Sequence, residues 1–100
     1  MSSAKKFLEK LNGPLSIGKL IRAYRTANNI SLQELALTLG VTKGYISNIE
    51  TGKKEVSLDK ALMIGEALGE SREIYARVWF EEQARSAGID FKKVLKKMAS

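Results

Sequence analysis

Apolar positions in this 100-residue chain recur every three or four residues, and the alternation expected of strands is nearly absent. That spacing predicts an all-α protein. Breakers and caps cut the pattern into short segments. A first helix, about Ser3 to Leu11, stops at Asn12-Gly13-Pro14. A second starts near Ser16, sets Ile17, Leu20, Ile21 and Tyr24 on one face, and stops at Asn28-Asn29, residue types that tolerate the left-handed conformation. Ser31 with Glu34 three residues on is a capping box, and it opens a helix carrying Leu35, Ala36 and Leu39. After Gly40, Thr42 caps a segment to about Glu50 with Ile46 and Ile49 facing inward. Ser57 caps the next, with Leu58, Leu62 and Leu68 as its apolar face. Ser71 starts a longer helix bearing Ile74, Tyr75, Val78 and Trp79. Gly88 ends it, and Asp90 caps a last helix with Phe91, Val94, Leu95 and Met98.

The segment from Leu32 to Glu50 therefore holds two helices of about eight residues joined by a turn of three or four, the geometry of a helix-turn-helix. Gly40 sits where the turn needs positive φ, and Ala36 where two backbones are expected to cross closely. The expected architecture is a compact bundle of five short core helices around this unit, with additional N- and C-terminal helices. Residues 1–14 read as an N-terminal helical arm, 15–70 as the DNA-binding unit, and 71–100 as C-terminal helices that pack on the core, dimerise, or both.

From about Ile17 to Leu68 the chain resembles the Cro/repressor-type (XRE-like) helix-turn-helix family. The matching residues are Leu20 with Arg25, then Ser31, Glu34-Leu35-Ala36, Gly40-Val41-Thr42, Ile46-Ser47, Ile49-Glu50, Gly52-Lys53 and Ser57-Leu58, leading to Ala67-Leu68. The resemblance implies double-stranded DNA as partner, read in the major groove by residues 42–51. It also implies that Arg25 and Glu50 form an inward-facing structural ion pair. Lys43, Gly44, Tyr45, Ser47 and Asn48 become the candidates for base readout. Lys43 suits guanine O6 and N7, and Asn48 suits adenine N6 and N7. Tyr45 suits either a thymine methyl or a phosphate. Gly44 would let the amides at the helix start come close to the groove. Thr42, Thr51, Lys53 and Lys54, with Lys19 and Arg22 from the preceding helix, are the expected phosphate contacts. Where many members carry a phosphate-binding glutamine this chain has Leu32, so that contact is expected to pass in part to Ser31 or Gln33.

Composition narrows the alternatives. The net charge is +6, with 17 basic and 11 acidic residues, which favours a polyanionic partner. Residues 19–57 carry +3, whereas residues 58–90 carry −3. The chain has no cysteine and no histidine, so disulfides, thiolate metal sites and imidazole catalysis lose their groups. Glu66, Glu70, Glu73, Glu81 and Glu82 are spread as ordinary surface charge, and Gly65 and Gly69 are isolated rather than part of a phosphate-cradling loop. No enzyme activity, catalytic residue, metal or cofactor is expected. With no apolar run near the roughly 20 residues needed to span a bilayer and no secretory pattern at the N-terminus, a cytoplasmic protein without a membrane role is expected.

The expected function is a sequence-specific transcriptional regulator, a repressor, acting as a homodimer on a pseudo-palindromic site with half-sites about 34 Å apart or a multiple of that. One alternative is an antitoxin-like autoregulator that grips a toxin protein through residues 71–100, and a restriction–modification controller is a variant. Another is a protein-interaction module that kept the fold and lost DNA binding. The last helix, with Lys92, Lys93, Lys96 and Lys97 opposite its apolar face, is read as packing within the domain or between protomers.

Overall fold

The computed structural model describes residues 14–99. Among them are six helices and no strand: α1 (Ile17–Ala27), α2 (Leu32–Leu39), α3 (Lys43–Glu50), α4 (Leu58–Ala67), α5 (Arg72–Ser86) and α6 (Phe91–Ala99). The expected arm at Ser3–Leu11 lies outside the described residues. Helix starts follow from local chemistry. Ser16, Ser31, Thr42, Ser57 and Ser71 each accept a hydrogen bond from the backbone N–H three residues on, satisfying an amide that the helix leaves without an internal partner. At Ser31 the box is reciprocal, because Glu34 Oε1 accepts from the Ser31 amide at 3.2 Å. Asn29 takes a φ of 53° beyond the end of α1, and Gly40 a φ of 68° beyond α2. None of the described helices is long and apolar enough to cross a membrane.

The core gathers Ile17, Leu20 and Ile21 of α1, Leu35 and Ala36 of α2, and Ile46 and Ile49 of α3. Ala61, Ile64, Leu68, Tyr75 and Val78 complete it from α4 and α5. Fully burying an aliphatic side chain of this size contributes about 1.5–3 kcal/mol, so this cluster dominates the fold. The inward face of α4 differs from the expected leucine stripe. Leu58 and Leu62 are only half-buried, while Ala61, Ile64, Gly65 and Leu68 point inward. The cause is Tyr75. Its ring lies so close to α4 that a Cβ on Gly65 would stand 2.9 Å from Tyr75 Cγ, so small residues must face it.

Tyr75 is buried, and its hydroxyl finds no hydrogen-bond partner among the described residues. Burial, reinforced by the charge of Glu70 and by Tyr24, pushes the phenol well above its ordinary range. The unfolded chain releases that proton near pH 10, the folded chain only at higher pH. Above pH 10 the folded state thus holds more protons, and stability falls by about 1.4 kcal/mol per pH unit. Tyr75→Phe is expected to remove this alkaline limb and, by deleting an orphaned polar group, to stabilise the fold by about 1 kcal/mol at neutral pH. Urea titrations of both proteins at pH 7 and pH 11 check it; equal slopes with pH would refute the assignment.

α5 is laced to the rest of the bundle by polar bonds. Trp79 Nε1 donates to the Val56 carbonyl at 2.8 Å, and Glu82 Oε1 accepts from the Ile17 amide at 2.6 Å. That carboxylate also sits at the positive end of α1. Arg85 Nη2 donates to the Leu15 carbonyl at 2.8 Å. Of the apolar residues read on this helix, Tyr75 and Val78 are buried and Trp79 half-buried, while Ile74 stays exposed, as does the neighbouring Phe80. α6 has no buried residue, and Val94, Leu95 and Met98 on it are exposed.

Candidate nucleic-acid interface

The outer surface of α3 is set by its own sequence. Ile46, Ile49 and Glu50 are buried, which turns Lys43, Gly44 and Asn48 to solvent. Thr42 Oγ1 accepts from the Tyr45 amide at 3.1 Å, and the Thr42 carbonyl accepts from Ile46 N at 3.3 Å. The amides of Lys43 and Gly44 precede the first intrahelical bond and face outward at the positive end of the helix. A Cβ placed on Gly44 would meet nothing within 4 Å. The fold itself does not require glycine there, and the space above it is open.

The loop after α3 folds back onto it. Gly52 takes a φ of 81°, Thr51 Oγ1 donates to the Ser47 carbonyl at 3.0 Å, and the Lys54 amide donates to the Asn48 carbonyl at 3.0 Å. This reversal carries the Lys54 ammonium over the Tyr45 ring, 5.4 Å from its centroid, a cation–π distance. Tyr45 is half-buried and packs on the core, and Ser47 is also half-buried. Of the five expected readers, then, Lys43, Gly44 and Asn48 are open, whereas Tyr45 and Ser47 are partly enclosed. Thr51, Lys53 and Lys54 line the exposed rim of the same surface.

The other expected phosphate contacts divide. Ser31 and Gln33 are exposed at the start of α2, although the Ser31 hydroxyl accepts from Glu34 N at 3.1 Å. Lys19 Nζ donates to the Pro14 carbonyl at 2.8 Å, toward the beginning of α1. Arg22 is drawn into an ion pair: its Nε donates to Glu50 Oε1 at 3.2 Å, with the side chain 56% exposed.

Glu50 is the anchor beneath this surface. Its side chain is 2% exposed, and Arg25 grips it with a fork, Nε on Oε2 at 2.9 Å and Nη2 on Oε1 at 3.0 Å. Such bidentate, charge-assisted bonds are strong and directional. Arg25 Nη1 also donates to the Ile30 carbonyl at 3.3 Å, tying the α1–α2 turn into the cluster. The hydrogen bond to Glu50 holds the Arg25 guanidinium above its already high ordinary pKa, against an opposing contribution from burial. The guanidinium stays charged at any physiological pH.

Sequence reasoning missed two parts of this support. Arg22 joins Arg25 on Glu50, a second cation invisible in a motif that pairs one arginine with one glutamate. Gly18, inside α1, is buried against α3: a Cβ there would collide with the Ile49 carbonyl and stand 3.0 Å from Glu50 Cα. A close backbone approach is thus found at Gly18. A glycine within a helix costs about 1 kcal/mol relative to alanine, and that cost was the available signal.

Comparison with known proteins agrees with this geometry. The family model described as Helix-turn-helix matches residues 21–74. An uncharacterised HTH-type transcriptional regulator of Sinorhizobium fredii, y4mF, is 34% identical over 68 residues, covering 68% of this chain and 90% of its own. The HTH-type transcriptional regulator Rv0474 of Mycobacterium tuberculosis, likewise uncharacterised, is 32% identical over 95 residues, 89% of this chain and 68% of its own. Control protein C.SmaI of Serratia marcescens is 33% identical over 51 residues, 51% of this chain and 61% of its own. No solved structure matches the chain at comparable significance.

Proposed function

The chain belongs to the helix-turn-helix family of DNA-binding transcription regulators, which are not enzymes, and we propose that it represses transcription by seating α3 in the major groove of a pseudo-palindromic site. The observation that carries this reading is the split character of α3. One face is locked into the core through Ile46, Ile49 and Glu50, and the other offers Lys43, Gly44 and Asn48 to solvent beside Lys53 and Lys54. Lys43 and Asn48 act as the base readers, each bidentate pair being worth about 1–3 kcal/mol of discrimination. Thr42, Thr51, Lys53 and Lys54 hold phosphates, as do Ser31 and Gln33 at the start of α2. Arg22 adds its outer guanidinium nitrogens while its Nε keeps Glu50. Because Lys54 covers the face of Tyr45, the phenol serves as a platform for the lysine and meets a phosphate rather than a thymine methyl. Two copies on one two-fold site supply the affinity that a single short helix lacks.

In-vitro selection of duplexes by the full chain tests the proposal directly: enrichment of a two-fold symmetric sequence is expected, and a pool without enrichment at low salt would end it. A monomer on the selected duplex, by light scattering, would remove the dimer. With the site in hand, Lys43→Ala is expected to cost about 1–3 kcal/mol and to relax preference at one base pair. Lys54→Ala should weaken all sequences alike and make the salt slope, about −4 to −5 per protomer in the parent, less negative by about 1. An interaction module without DNA binding would leave both variants unaltered in anisotropy titrations.

A further inference from the structure

Trp79 and Glu82 stand three residues apart on α5 and so share a face. Both lie beyond residues 21–74, the span that the family model matches. Glu82 Oε1 accepts from the Ile17 amide at 2.6 Å, next to Gly18, which is buried against the backbone of α3. Trp79 Nε1 donates to the Val56 carbonyl at 2.8 Å, in the loop that follows α3. One face of α5 therefore holds both the helix behind α3 and the loop beyond it. The indole is itself oriented, because it packs on the core and meets Phe80 edge-on, with ring centroids 5.2 Å apart at 85°.

The loop spans residues 51–57 and carries Lys53 and Lys54, both exposed. Its first half is fastened to α3, with Gly52 N donating to the Ile49 carbonyl at 3.1 Å and Lys54 N to the Asn48 carbonyl at 3.0 Å. Its second half borders a cavity of about 100 Å³, whose lining includes Gly52, Lys54, Glu55, Trp79 and Glu82. Main chain that faces a gap has few packing contacts on that side, so its place depends on directional bonds. The Val56 side chain is half-buried against the core, and the Trp79 N–H fixes the orientation of its carbonyl.

We propose that Trp79 is a positioning residue for DNA binding: by holding the Val56 carbonyl it keeps Lys53 and Lys54 at the phosphate-facing rim of α3. The proposal rests on the reading of α3 as the helix that enters the groove. A lysine ordered before it meets its phosphate loses less freedom on binding. The Tyr45 ring beneath the Lys54 ammonium orders that lysine only while the loop keeps its place. Trp79 acts through the loop, and a neutral hydrogen bond of this kind shifts such an equilibrium by roughly two- to tenfold.

Trp79 is the chain's one tryptophan, so benzothienylalanine, in which sulfur replaces the indole N–H, goes into that position alone with little change of shape. In the full chain without DNA, the Lys54 amide is expected to exchange at least about twofold faster with the analogue. The Val41 amide, bonded to the Ala36 carbonyl in the turn between α2 and α3, should keep its rate. A smaller change at Lys54, or an equal one at Val41, overturns the proposal. On the duplex selected by the parent, the analogue is expected to weaken binding by roughly two- to tenfold. Trp79→Phe, which keeps a ring and loses the N–H, should shift both readouts in the same direction. Measured as a free energy, the analogue's loss should fall below half once Lys54→Ala is present, yet persist in full beside Lys43→Ala. A loss that stays above half with Lys54→Ala overturns the proposal. A parent that selects no duplex ends the groove reading instead, and the two failures are told apart because the exchange measurement needs no DNA.

Discussion

Arg25→Met is expected to cost the fold about 3 kcal/mol and, with it, most of the specific DNA affinity. The substitution leaves the Glu50 carboxylate, 2% exposed, held only by Arg22 Nε at 3.2 Å. Stranding one member of a buried pair costs about 3–5 kcal/mol. The low end applies because Arg22 remains and because the Arg25 side chain is itself 20% exposed. For a domain of this size about 3 kcal/mol lowers the melting midpoint by roughly 15 °C. Arg22→Met should cost far less, about 1 kcal/mol at most, since its guanidinium is 56% exposed and solvent screens the pair. Arg25→Met with Glu50→Leu should recover most of the loss, because a well-packed apolar pair replaces a buried ion pair at little cost. The folded-state pKa of Arg25 is raised, so its stabilisation is present below the unfolded value and is lost only as pH rises through the folded value. The deficit of the variant should accordingly be flat from neutral pH to pH 9. Urea unfolding of the three proteins decides. An Arg25→Met variant within about 0.5 kcal/mol of the parent, or a double variant no more stable than the single, would mean that Glu50 is not the anchor described.

How far the fold could be read in advance depends on the range of the interaction concerned. Helix starts were legible because a cap bonds only three residues along the chain, as Ser16 does with Lys19 and Ser57 with Lys60. Turns were legible because Gly40, Gly52, Gly69 and Gly88 occupy positive φ, which other residues avoid. Faces built from large side chains, such as Leu20 and Ile21 or Ile46 and Ile49, follow from their spacing. Faces built from small ones do not. Ala61 and Gly65 carry little apolar signal, and at Gly65 it is the Tyr75 ring arriving from α5 that demands a residue without a side chain. On the candidate interface the exposure of Lys43, Gly44 and Asn48 follows from the burial of Ile46 and Ile49. The seating of Lys54 over Tyr45 does not, because it depends on the loop reversing onto α3. Arg22 and Lys19 share a helix face by sequence, yet Glu50 claims one and the Pro14 carbonyl the other. Competition for partners of that kind is three-dimensional and leaves no trace in spacing.

Gly18 and Gly44 turn the same distinction into opposite signs for one substitution. By propensity alone, glycine to alanine inside a helix stabilises by about 1 kcal/mol. At Gly18 the new methyl would enter the backbone of α3, colliding with the Ile49 carbonyl and lying 3.1 Å from the Glu50 carbonyl oxygen. Backbone cannot rotate aside as a side chain can, so α1 and α3 must separate. Overpacking of this kind costs up to about 3 kcal/mol, and Gly18→Ala should destabilise by about 2 kcal/mol after the propensity gain. Because the displaced element carries Lys43 and Asn48, DNA affinity should fall on the order of tenfold, about 1.4 kcal/mol. At Gly44 the methyl meets nothing of the protein within 4 Å. Gly44→Ala should leave the fold as stable as the parent or up to about 0.5 kcal/mol more so, the gain being smaller at a helix start, while still weakening DNA binding if duplex comes close to that amide. Thermal melts and anisotropy titrations of both variants separate the two roles. A Gly18→Ala protein as stable as the parent would show that α1 and α3 do not touch through their backbones, and a destabilised Gly44→Ala would place protein, not DNA, above the start of α3.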